Sequence, residues 1–203
     1  MTDSDSLLLH STVGGAIPKI SQAVDLALPS GTLWAPWNVG ASAPDQAGAY
    51  FAWGETTPAK ERYEWRNYKF HARSNKYNLS DGKRLLDPED DAASANWGTI
   101  WMMPTAAQFE ELRNECEWTW ISSPVPGFVV ASVVNGLSIF LPAAGNVWKD
   151  ETRFVGQDGN YWSANIRADE PQDATLLFFF HDGCYLSTLN RCFGRPVRPV
   201  LAI

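Results

Sequence analysis

Three thiols, three imidazoles and one acidic cluster are the residues of this chain best suited to chemistry. Cys116, Cys184 and Cys192 are odd in number and sparse, so they define no disulfide framework, and none sits in a Cys-x-x-Cys pair. His10, His71 and His181 are scattered, with no zinc-ligand spacing. Cys184 and Cys192 lie close in sequence to Arg191 and Arg195, and a neighbouring cation is what lowers a thiol's pKa for nucleophilic work. Asp87, Glu89, Asp90 and Asp91 could offer oxygens to a hard cation such as calcium, but their spacing is not that of an EF-hand loop. A helix N-terminus explains the same cluster, with Asp87 as cap, Pro88 at the first helical position and acids in the first turn. These patterns imply no catalytic residue, no metal and no cofactor.

The elements around these residues follow from composition and pattern. The 203 residues, 45% hydrophobic and 19% charged, suit one domain with a sizeable core. Ten Trp, ten Phe and six Tyr suggest β-rich packing or an aromatic binding surface, and thirteen Pro with fifteen Gly suggest many turns. A net charge of −7 argues against non-specific nucleic-acid binding. No apolar run reaches transmembrane length, so no membrane insertion is expected. Residues 1–6 are acidic and polar, the wrong flank for a signal peptide. Export by another route, as for a virion component, or a chain lacking its leader would account for this.

Residues 1–21 read as an N-terminal arm, packed on its own domain or used as a homo-oligomer contact, and residues 22–203 as the domain. Two helices are legible, one capped by Asp87 and one capped by Thr105 with Gln108 closing a capping box, which puts Phe109, Leu112 and Cys116 on one face. Strands are expected at residues 32–39, 50–53, 118–121, 128–134, 137–141, 160–163, 176–181 and 196–201. Asn135-Gly136 reads as a two-residue hairpin turn. Few helices and many short strands make the class α+β.

Seven motifs occur in order: Val24-Asp25-Leu26-Ala27-Leu28-Pro29-Ser30-Gly31-Thr32-Leu33-Trp34, Tyr50-Phe51-Ala52-Trp53-Gly54-Glu55, Leu86-Asp87-Pro88-Glu89-Asp90-Asp91-Ala92-Ala93, Trp101-Met102-Met103-Pro104-Thr105, Leu141-Pro142-Ala143-Ala144-Gly145, Tyr161-Trp162-Ser163 and Val197-Arg198-Pro199-Val200. The series, over roughly residues 22–203, resembles the Fibrobacter succinogenes major paralogous domain of gut Bacteroidetes and their phages. It departs from that family at Met102, where the family usually has Arg. The resemblance implies a C-type-lectin-like fold of the formylglycine-generating-enzyme subtype, with short twisted strands and two helices. It also implies kinship with variable proteins of diversity-generating retroelements, in which Asn codons become any codon ending in a pyrimidine. Such codons cannot encode Trp, Met, Lys, Gln or Glu, and residues 173–203 contain none of these.

A variable C-terminal segment is therefore expected at about residues 174–196. Alternation in a strand sets Leu176, Phe178 and Phe180 against Leu177, Phe179 and His181, and the resemblance places the first set in the core. With Asp182-Gly183 as the turn, Tyr185 is expected to point inward. The expected binding surface is Phe179, His181, Cys184, Leu186, Ser187, Leu189, Cys192, Phe193 and Arg195, lying side by side and mostly exposed. Its partner would be a protein or glycan on a target cell surface, met from a virion surface such as a phage tail or from a bacterial cell surface. Two rivals stand beside this display reading: an oxidase of the formylglycine-generating type using Cys184 and Cys192, and a structural subunit that buries the patch in an assembly. Arg198 is expected to pair with a buried carboxylate. Replacing Cys184 and Cys192 together by Ser should leave thermal unfolding little changed. A loss above about 3 kcal/mol, the typical contribution of a disulfide, would mean that they are bonded.

Overall fold

The computed structural model describes residues 13–58, 61–71 and 74–201. The strands are β1 (Val24–Asp25), β2 (Leu33–Trp34), β3 (Trp101–Met102), β4 (Cys116–Ile121), β5 (Gly127–Ser132), β6 (Ser138–Pro142), β7 (Asn146–Trp148), β8 (Glu151–Arg153), β9 (Asp158–Ile166), β10 (Asp173–Phe180), β11 (Gly183–Asn190) and β12 (Val200–Leu201). The helices are α1 (Ala92–Trp97) and α2 (Ala106–Glu115). Four small sheets result, ordered β1-β2-β12-β3, β11-β10-β9, β4-β5-β6 and β7-β8, with every strand pairing antiparallel. The fold is α+β, and its first and last strands share one sheet. No helix among the described residues is long and apolar enough to cross a membrane.

Local chemistry sets the helix starts. Thr105 caps α2 by accepting from the Gln108 amide, and Gln108 reaches back to the Thr105 amide at 2.8 Å, the expected capping box. The other cap is displaced by four residues. Asp91, not Asp87, caps α1, accepting from Ala93 and Ser94, and its second oxygen takes the Met103 amide at 2.8 Å. Asp87 precedes only a short 3-10 turn and spends its carboxylate on lysines. At the Asn135-Gly136 hairpin the strands end early, at Ser132 and Ser138, so the loop is wider than two residues.

The arm is attached to its own domain from residue 13 onward. The Ala16 amide donates to the Ala41 carbonyl, Trp37 Nε1 donates to the Ala16 carbonyl, and Val13 and Ile17 pack on the core. Residues 1–12, including His10, lie outside the described residues.

Two apolar cores form, and the β9–β10–β11 sheet lies between them. Ala174, Leu176 and Trp162 belong to the first, with Trp53, Trp97 and Trp101. Leu177, Phe179 and Tyr161 belong to the second, with Trp34, Phe109, Phe128 and Leu141. The Phe179 ring meets Phe128 at 5.4 Å and stacks on Tyr161 at 5.8 Å. It also lies so close over Gly159, its cross-strand partner, that a β-carbon there would fall 2.0 Å from the ring.

Arg198 is fully buried, but it meets carbonyls rather than the expected carboxylate. Nε donates to Asn38 Oδ1 and a terminal nitrogen to the Phe140 carbonyl, each at 2.8 Å. Burial without an anion lowers its pKa to about 10. Phe179→Ala should cost about 3–5 kcal/mol through the cavity it leaves, whereas half-buried Phe180→Ala should cost less than half of that. Urea unfolding of the two variants checks the order; equal losses would contradict the two-core arrangement.

Candidate functional site

The hairpin β10–β11 closes through His181 and Asp182, because Phe180 pairs with Gly183. Cross-strand pairs then fix each face. Phe179 with Cys184 and Leu177 with Leu186 turn toward the second core. Phe178 with Tyr185 and Leu176 with Ser187 share the opposite face, which is core at Leu176 and opens toward the turn.

The expected binding surface is thus divided. Phe179 is buried, Cys192 is 3% exposed and Arg195 1%, so these three are framework, contrary to expectation. Cys184 and Leu186 are half-buried against the second core, also contrary to an outward orientation. Tyr185, expected inside, is 48% exposed, and Phe180, expected in the core, is half-buried. His181 is exposed in the turn, Leu189 is 40% exposed, and Ser187 and Phe193 are half-buried. The inversion has a physical cause. Both faces of this sheet are covered over part of their area, so period-two alternation sorts residues into two sets without saying which set meets water.

The outward face is aromatic. Phe180 stacks with Tyr185 at 6.0 Å and meets Phe178 at 5.8 Å. Phe193 lies 6.0 Å from Trp148, whose ring carries Lys149 Nζ at 4.5 Å and the Arg153 guanidinium at 4.3 Å. Arg195 lies beneath, 4.1 Å over the Trp162 ring and 5.4 Å from Phe193. Asp158, cross-strand partner of Phe180, accepts from Asn160 Nδ2 at 2.7 Å. Burial pushes its carboxyl up to about 6, against the pull of Asn160 and Arg195. Around the hairpin tip, Trp118, Trp120 and Phe128 line a cleft of about 320 Å³ with His181, Gly183 and Cys184. This cleft was not legible from local pattern, since it joins β4 to a turn more than sixty residues later.

The thiols and acids have other neighbours than the sequence suggested. No disulfide joins Cys116, Cys184 and Cys192; Cys184 lies against one core and Cys192 inside the other. Burial raises the Cys184 thiol, the opposite of nucleophile activation. Asp87, Glu89 and Asp90 do converge, and the Lys76 ammonium stands among them, 2.5 Å from Asp87, 2.9 Å from Glu89 and bonded to Asp90. Lys69 adds a second bond to Asp90 at 2.6 Å. The cluster pins the loop of residues 69–91 by ion pairing.

No protein-family model, no curated protein and no solved structure matches this chain.

Asp158 makes the native state pH-sensitive. Its folded pKa lies above the ordinary carboxylate value, so its contribution to stability is greatest at low pH and is lost as pH rises from about 4 to about 6. Asp158→Asn should therefore melt like the parent near pH 4 and be more stable above pH 6, by about 1 kcal/mol after solvent screening is allowed for. A difference independent of pH would contradict this.

Proposed function

We propose that this chain is a non-catalytic ligand-binding display protein with a C-type-lectin-like fold of the formylglycine-generating-enzyme subtype, and that its C-terminal surface is diversified by a retroelement. In this reading it serves as a phage receptor-binding protein or a bacterial surface adhesin, meeting a protein or glycan on a target cell. One observation carries the reading: the hairpin β10–β11 is anchored on one face and presents an aromatic surface on the other. Exposed aromatics on a rigid scaffold are what protein and glycan recognition needs. The anchoring narrows the variable set to residues that the cores do not use, chiefly His181, Tyr185, Ser187 and Leu189, while Phe193 packs against the first core. The oxidase reading finds little support, because Cys184 and Cys192 belong to different cores and the Cys184 thiol is raised. The exposed Tyr185 and Leu189 keep a structural subunit as the second reading.

Two measurements decide between them. The gene should be followed by a near-copy of its 3′ end, with adenines at the codons for the outward residues, and by a reverse-transcriptase gene. Absence of that copy would remove diversification. The purified chain should sediment as a species whose size is unchanged when Tyr185 and Leu189 are both replaced by Asn, at about 0.5 kcal/mol or less per exposed position. Dissociation of an assembly by those substitutions would favour the structural subunit.

A further inference from the structure

Three buried arginines lie close together in the chain, and they differ in how they are satisfied. Arg198 uses all three nitrogens on oxygen acceptors. Arg195 lies over Trp162 and donates to the Asn190 carbonyl, and its Nε, like that of Arg191, finds no acceptor. Arg191, only 4% exposed, donates from its two terminal nitrogens to the carbonyls of Tyr77 at 2.8 Å and Phe70 at 2.7 Å, while its Nε finds no acceptor. No carboxylate among the described residues lies within ion-pair distance of it. Burial lowers the pKa of the Arg191 guanidinium against the opposing pull of Tyr68, Asp81 and Tyr77, and the rings of Trp53, Trp65 and Tyr68 lie 5.8, 5.8 and 5.3 Å from it.

Unlike the other two, Arg191 borders open space. A cleft of about 520 Å³ lies at the end of the β10–β11 hairpin opposite its turn, bounded by Trp65, Tyr77, Asn78, Pro171, Gln172 and Arg191. Ser74, Ser80 and the imidazole of His71 complete the polar lining. The volume is that of a small-molecule pocket, and an aromatic wall with a few convergent polar groups is the usual composition of one. A carboxylate is the anion that a guanidinium fork matches best. Trp65 offers a ring face, and the serines, Asn78 and Gln172 offer partners for hydroxyls.

We infer that this cleft binds an acidic sugar, with its carboxylate directed to Arg191 and its ring against Trp65. The site is separate from the aromatic face of the hairpin and does not rest on the display reading.

Titration of the whole chain with glucuronate, followed by the side-chain Nε–H resonance of Arg191 in ¹⁵N-labelled protein, tests it. A saturable shift that glucose does not produce is the expected result. Gln172→Glu places a like charge on the exposed lip and should weaken glucuronate binding at least about tenfold, which corresponds to about 1.4 kcal/mol, with unchanged melting. Arg191→Lys, which keeps the charge and loses the fork, should weaken it as well; because this position is buried, the lip variant carries the test if Arg191→Lys fails to fold. No shift up to tens of millimolar glucuronate would overturn the inference. An equal response to glucose would overturn the role of the carboxylate. Equal binding of inorganic phosphate or of an N-acetyl amino acid would overturn the sugar assignment.

Discussion

The molecule depends on the way its last residues are threaded through its middle. From Arg191 to Pro199 the backbone exchanges hydrogen bonds with Trp53, Phe51, Val147, Trp162, Val39 and Ala35, residues that otherwise belong to separate loops and sheets. The arginines of this thread multiply the effect. Arg191 holds the carbonyls of Phe70 and Tyr77, Arg195 that of Asn190, and Arg198 those of Phe140 and Ala35 together with the Asn38 side chain. Each guanidinium is almost fully buried and donates to carbonyls of loops, as at Phe70, Tyr77 and Ala35, or of strand positions, as at Phe140 and Asn190. A chain with four small sheets and long connections gains its rigidity from such ties, because strands of two or three residues supply few ladder bonds of their own.

This arrangement sets outward-facing aromatic side chains directly beside essential framework. β10 and β11 pair along their whole length, and their inner face is filled by Leu177, Phe179, Cys184 and Leu186. The outer face near the turn carries Phe180 and Tyr185 beside Phe178, which packs on the first core; of the three, exposed Tyr185 is where side-chain identity matters least to stability. Directly after β11 the chain enters the buried thread at Arg191 and Cys192. The boundary between tolerant and intolerant positions therefore runs within the last thirty residues and follows the faces of a strand rather than a stretch of sequence.

Much of the scaffold was legible and the faces were not. The Thr105 capping box and the core tryptophans follow from local rules that the structure obeys, and a hairpin does turn at Asn135-Gly136, though through a loop wider than the two residues expected. The Asp87 cap failed because several acids compete for one helix start, and Lys83, four residues before it, and Lys76 claimed Asp87 while Asp91 gained the Met103 amide. The orientation of Phe179 and Tyr185 depended on what covers each side of the sheet, and that is set by β4, β5 and α2, far away in sequence. The same non-locality hid the Arg191 cleft, whose walls come from residues 65–80 and from the connection before β10.

The central claim is that residues 176–195 combine fixed inner positions with freely variable outer ones. Saturation mutagenesis across this stretch, with each variant sorted for resistance to proteolysis as a readout of folding, tests it most directly. Tyr185, Ser187 and Leu189 should accept polar, charged and apolar residues alike, while Leu177, Phe179 and Arg195 should retain almost only their own type or a close substitute. Equal intolerance at Tyr185 and Phe179, or equal tolerance at both, would contradict the account.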